Sequence, residues 1–258
     1  MHYTKQIFIA LFFVSSIGFA QQKKQYKVNT IAFYNVENLF DTENDPITYD
    51  DDRTPDGKDH WTDEIYQAKL KNMAKVISEI GADVTGTAPA IVGLCETENR
   101  KVLEDLVSQE SLLGKEYGIV QFDSPDRRGI DVALIYQKKL FTPTNYKAHE
   151  LLIYDNVDPT KRIFTRDQLV VSGMLDGEKM HFIVNHWPSR SGGEARSRQK
   201  RISAAKLNKH IMDSIFVQEP YAKIITMGDF NDDPTSPSVK DILKPKKKRE
   251  NVGTKQLF

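Results

Sequence analysis

One cysteine, Cys95, is all that the sequence holds. A lone thiol excludes an intramolecular disulfide framework, so core packing rather than cross-links must hold the fold. Neither sign of charge is in excess: Lys+Arg and Asp+Glu both number 36, and the formal net charge is zero. Nothing global therefore draws the chain to nucleic acid or to a membrane surface. Long apolar runs are missing as well. The almost unbroken run over residues 7–17 is too short to span a bilayer. Internal repeats and long low-complexity stretches are also absent. Apolar content is ordinary, 39% of 258 residues, which suffices for a sizeable core in one large domain or two small ones.

What is present begins with that apolar run. Lys5 precedes it, Gly18-Phe19-Ala20 supplies the small residues that a signal peptidase reads, and polar Gln21-Gln22-Lys23-Lys24 follows. The expectation is a cleaved secretory signal over residues 1–20, a secreted or periplasmic location, and a working domain over residues 21–258. No cysteine stands at the cleavage point to carry a lipid. No transmembrane segment is expected after cleavage, and no stable protein partner is implied.

Residues 222–227 are a short, bounded apolar run that reads as a buried strand. Gly228 then lets the chain turn, and Asp229 and Asn231 fall on one side of an extended backbone. A carboxylate and an amide at a strand end suit a hard cation or a phosphate. Three further strands end the same way. Residues 26–35 end at Asn35, residues 90–96 at Glu96, and residues 179–186 at His186. Each has an ordinary reading when taken singly: a turn, a helix-start carboxylate, a structural histidine. Asp131 sits among apolar neighbours inside the expected strand 130–137, which follows a strand over 117–122. There it needs a hydrogen-bonding or cationic partner. Residues 169–175 and 179–186 flank Asp176-Gly177, a hairpin signal. Residues 149–154 read as one more short strand.

Two helices complete the reading. Thr62 caps a helix over 62–80 whose apolar stripe is Leu70, Met73, Ile77 and Ile80. The second runs from Ser191-Gly192-Gly193 to about residue 216 with Ala204, Leu207, Ile211 and Ile215 inward. Arg190, Arg196, Arg198 and Arg201 cluster at its start, where guanidinium groups could clamp phosphate. The acidic loop 41–60 lacks the spacing of a calcium loop and reads as solvated. The basic run 244–249 reads as a surface loop.

Taken together and in order, these segments resemble the endonuclease/exonuclease/phosphatase superfamily, the group related to pancreatic deoxyribonuclease. The resemblance is carried by Phe33-Tyr34-Asn35-Val36-Glu37-Asn38-Leu39, Ile91-Val92-Gly93-Leu94-Cys95-Glu96, Arg128-Gly129-Ile130-Asp131-Val132-Ala133, Asn185-His186-Trp187-Pro188-Ser189 and Gly228-Asp229-Phe230-Asn231. It spans roughly residues 28–240. It implies an α/β fold of four layers, a two-sheet sandwich flanked by helices, with the site at one end of the sheets. It implies metal-dependent hydrolysis of a phosphoester carried by nucleic acid, nucleotide, lipid or inositol phosphate. Glu96 and Asn35 would hold Mg²⁺, with Mn²⁺ or Ca²⁺ as substitutes. His186 would contact the scissile phosphate, and Asp229 and Asn231 would orient the water and phosphate. Asp131 would stand against the histidine, and Asn185 and Arg190 would bind substrate.

One departure qualifies that expectation. The family closes with a Ser-Asp-His-like motif that supplies a metal-side carboxylate and a base, and no histidine follows His210 in this sequence. The expectation is a domain incomplete at its C-terminus, lacking its last strands. Such a chain would be low in activity, with Ile224–Met227 and Phe182–Val184 uncovered. The alternative function is a catalytically inactive phosphate-binding relic.

Overall fold

The structure, a computed structural model, describes residues 26–155 and 157–258. The expected signal segment, residues 1–20, lies outside the described residues. Among the described residues, ten strands form two four-stranded sheets and a small ribbon. The first sheet contains β1 (Ile31–Leu39), β2 (Ile91–Thr97), β3 (Tyr117–Gln121) and β4 (Asp131–Gln137) in the order β1-β2-β4-β3. The second contains β5 (Phe141–His149), β8 (Gln168–Leu175), β9 (Glu178–His186) and β10 (Ile224–Asp229) in the order β10-β9-β8-β5. The ribbon pairs β6 (Ile153–Tyr154) with β7 (Arg162–Ile163). The two sheets repeat one pattern: a parallel pair, β1 with β2 and β10 with β9, followed by antiparallel neighbours.

The sheets face each other across Ile91, Cys95, Leu134, Val171, Phe182, Val184 and Met227, all buried. Outside the first sheet lie α1 (Asp63–Glu79), the short α2 (Ala82–Thr85), α3 (Arg100–Val107) and α4 (Glu110–Leu113). The α1 stripe of Leu70, Met73 and Ile77 packs there as its 3.6-residue period predicts. Thr62 caps α1 by accepting from Ile65 N at 3.4 Å. Outside the second sheet lies α5 (Glu194–Gln218), whose Ile211, Met212 and Phe216 cover Val170 and Ile183. The order helix, sheet, sheet, helix is the four-layer α/β sandwich expected. Among the described residues no helix is long and apolar enough to cross a membrane.

Four local readings need correction. The expected first strand over 26–35 begins five residues later and runs on to Leu39, because a register shift after Asn35 lets the chain bulge and continue pairing. The strand β5 was hidden by Pro143 and Asn145, residues poor in strands; it lies at a sheet edge, with a shift at that point, where proline is tolerated. The expected buried strand at 222–227 is β10, only half-buried, because it occupies the other edge of the same sheet. Phe182–Val184, expected to be uncovered, are instead fully buried between α5 and the facing sheet.

Candidate active site

The C-terminal ends of β1, β2, β9 and β10 meet at one end of the sandwich. Asn35 Nδ2 stands 3.2 Å from Glu96 Oε1 and 3.2 Å from Asp229 Oδ2, so one amide nitrogen bridges two carboxylates from different sheets. That nitrogen occupies the place where a cation would satisfy both. Turning the amide about its terminal torsion would present Oδ1 instead. Its Oδ1 accepts from Glu37 N at 2.8 Å. His186 Nε2 is 3.7 Å from Glu96 Oε1. His186 and Asp229 are register partners at the ends of β9 and β10.

The backbone is bent to make this convergence. Glu96 and Asn231 hold left-handed φ values of 65° and 49°, a cost that functional sites commonly retain. Asn231 N donates to Asp229 Oδ1 at 2.9 Å, and Asn231 Nδ2 donates to Trp187 O at 3.0 Å. The loop after β10 is thus tied to the loop after β9. Gly228 is required: at φ 156° a Cβ there would meet Asn185 O at 2.3 Å.

Burial, then the guanidiniums of Arg166 and Arg128, push the His186 imidazole down to about 3, so the ring is neutral at physiological pH. Burial, then the charges of Glu96 and Asp229, push the Cys95 thiol up, and it stays protonated. Arg166 is 5% exposed and donates to Asp126 Oδ2 at 3.1 Å and to Trp187 O at 2.7 Å. Arg128 grips the same carboxylate from the solvent side, Nε to Oδ1 at 3.1 Å. Sequence reading gave none of Asp126, Arg128 and Arg166 a role. Their signal was weak: a Thr-Arg-Asp cluster just before β8, and an arginine before Gly129.

Asn35, Glu96, His186, Asp229 and Asn231 therefore come together, and the side chains of three other expected site residues are engaged elsewhere. The Asp131 carboxylate is taken by Ser124 N and Ser124 Oγ, at 2.8 Å and 2.5 Å, and by Gln121 Nε2 at 2.9 Å, and makes no hydrogen bond to His186. Asn185 is fully buried, donating to Thr226 Oγ1 and Met227 O, both at 3.0 Å, and accepting from Trp187 Nε1 and Asn208 Nδ2. It braces β9 to β10 and α5 and cannot face a substrate. Arg190 stands at the rim, but its guanidinium is spent on Asn231 O at 3.0 Å and on Asp232 and Asp233, at 3.3 Å and 2.9 Å. Arg201 is fully buried against Asp232, and Arg198 pairs with Glu194 along α5.

The donor set facing the cleft is two carboxylates and one amide. Among the described residues no three His, Cys, Asp or Glu side chains are grouped to hold a metal by themselves. Few protein ligands plus open positions for water and phosphate oxygens is what a small, hard, strongly hydrated cation takes.

The model of the Endonuclease/Exonuclease/phosphatase family matches residues 30–258. Among solved structures, the mannosyl-6-phosphatase of Bacteroides thetaiotaomicron is 16% identical with a TM-score of 0.50, over 83% of this chain and 70% of that one. A hairpin-deletion variant of Staphylococcus aureus beta toxin is also 16% identical with a TM-score of 0.50, over 83% and 71%. Caenorhabditis elegans TDP2 is 19% identical with a TM-score of 0.46, over 69% of this chain. The chain spans 47% of that protein and 63% of the human nocturnin catalytic domain. No curated protein matches it in sequence. With the family model covering nearly all of the described residues and the two-sheet sandwich in place, the chain belongs to the endonuclease/exonuclease/phosphatase family.

Proposed function

We propose that the chain is a secreted or periplasmic, Mg²⁺-dependent phosphoester hydrolase. The observation that carries the reading is the single amide nitrogen of Asn35 held 3.2 Å from both Glu96 and Asp229. Glu96 and Asn35 would hold the ion, with Asp229 facing it across the cleft. Bound there, Mg²⁺ would neutralise phosphate charge and polarise the phosphoryl group. Asp229, fixed by Asn231, accepts a hydrogen bond from the attacking water and aligns it. Neutral His186 donates from a ring nitrogen to a phosphate oxygen or to the leaving group. Arg128 and Arg166, sharing the one carboxylate of Asp126, place two guanidinium charges on the histidine side of the cleft. Zero net charge supports small or lipid-borne phosphoesters over duplex DNA. The apolar run at residues 7–17, with polar residues after Ala20, supports export.

The test is hydrolysis of a chromogenic phosphodiester and of plasmid DNA by the purified chain, with Mg²⁺ and with EDTA. The small ester should be cleaved faster, only with the cation, and not by Glu96→Gln. Turnover in EDTA, or unchanged turnover in Glu96→Gln, overturns the metal reading. A folded chain that binds phosphate yet cleaves neither substrate would make it a binding protein.

A further inference from the structure

A second cleft, of about 300 Å³, opens on the outer face of the second sheet, between β5 and the end of α5. None of the active-site residues line it. Ser172 of β8 and His181 of β9 are register partners, so the sheet itself places their side chains on one face. Ser172 Oγ lies 2.7 Å from His181 Nδ1. On the other side of the ring, His181 Nε2 lies 3.4 Å from Glu219 Oε2. Glu219 follows the last residue of α5 and is anchored by its ion pair with Lys179. His181 is 4% exposed, whereas Ser172 is only half-buried and lines the cleft.

We propose that Ser172, His181 and Glu219 form a second hydrolytic site, independent of the metal-dependent one, that takes small carboxylic esters. A nucleophile within hydrogen-bond reach of a base, with the base oriented by a third group, is the arrangement that activates serine. The ring nitrogens are used in a fixed way. A proton on Nε2 donates to Glu219, which leaves Nδ1 as the acceptor for the Ser172 hydroxyl proton. Ser172 Oγ attacks the acyl carbon while its proton passes to Nδ1. The ester C–O bond then breaks, and the leaving alcohol departs with that proton. Water attacks the acyl-serine next, giving a proton to Nδ1, which returns it to Ser172 Oγ as the acid leaves. Lys147 lines the same cleft and supplies a cation for the developing oxyanion. A volume of about 300 Å³ admits short acyl groups.

The experiment uses the whole chain in EDTA, which silences metal-dependent chemistry. A fluorophosphonate probe is followed by intact mass and peptide mapping, and p-nitrophenyl acetate hydrolysis is measured alongside. A single label on Ser172 is expected, with ester hydrolysis falling about 100-fold in Ser172→Ala. Mg²⁺-dependent phosphodiester hydrolysis should be unchanged in that variant. Glu219→Gln, at a partly exposed helix end that does not threaten folding, should slow labelling about tenfold. Absence of label on Ser172, equal ester hydrolysis in Ser172→Ala, or full labelling rate in Glu219→Gln each overturns the proposal.

Discussion

His186 Nε2 lies 3.7 Å from Glu96 Oε1, and His186 Nδ1 is buried without a hydrogen-bond partner among the described residues. The ring is held by packing and by its strand rather than by an orienting carboxylate. A group placed this way acts through position. His186→Ala should slow phosphodiester turnover about 100-fold or more with the melting temperature little changed. Steady-state kinetics with parallel thermal unfolding checks this. Full activity in the variant would make His186 structural.

Arg166 carries a different burden. Its guanidinium is 5% exposed and ties Asp126 to the Trp187 carbonyl, which places the chain directly after His186. Arg166→Met would leave the Asp126 carboxylate buried with only the half-exposed Arg128 as partner. The expected loss is about 3 kcal/mol of stability, with turnover reduced as the His186 segment shifts. Lysine at the same position should recover part of the stability but not the two-pronged geometry. Urea unfolding of the three proteins checks this. Equal midpoints would show that the pair does not hold the site.

The strand ends were legible because a buried run that stops at a polar residue is visible in one dimension. Asn35, Glu96, His186, Asp229 and Asn231 were found this way, as was the hairpin at Asp176-Gly177, where both residues hold positive φ. What was hidden depends on distant neighbours. That Asn185 faces inward follows from Trp187, Thr226 and Asn208, up to 41 residues away in sequence. The role of Arg166 follows from Asp126, 40 residues earlier. The strand β5 was missed because its residues suit an edge, where packing asks little of them.

Asn185 separates bracing from substrate binding. Its side chain makes hydrogen bonds to Ile183 O, Thr226 Oγ1, Met227 O, Trp187 Nε1 and Asn208 Nδ2, all in the interior. Asn185→Ala would orphan the indole N–H of the fully buried Trp187 and loosen β9 from β10. Stability should fall by about 3 kcal/mol. KM for a small phosphodiester should stay within about twofold of the parent value, because the residue makes no uniform binding contact with substrate. A large rise in KM with normal stability would return Asn185 to the substrate-binding role.

Asp131 gives the fold a pH dependence. Burial pushes its carboxyl up to about 7, against the opposing pull of Ser124 and Gln121, which donate to the ionised form. An unfolded aspartate titrates near 3.9. Between those values the native state binds the proton and the unfolded state does not. The contribution of Asp131 to stability is therefore largest below about pH 4 and is lost as pH rises toward 7. Asp131→Asn removes the titration while keeping an acceptor for Ser124 N. The parent should lose a few kcal/mol between pH 4 and pH 8 that the variant does not lose. Denaturant unfolding at several pH values checks the sign. A parallel pH dependence in both proteins would show that the three donors keep Asp131 ionised throughout. Phosphodiester turnover in Asp131→Asn should stay close to that of the parent, since the Asp131 carboxylate is engaged by Ser124 and Gln121 rather than by His186.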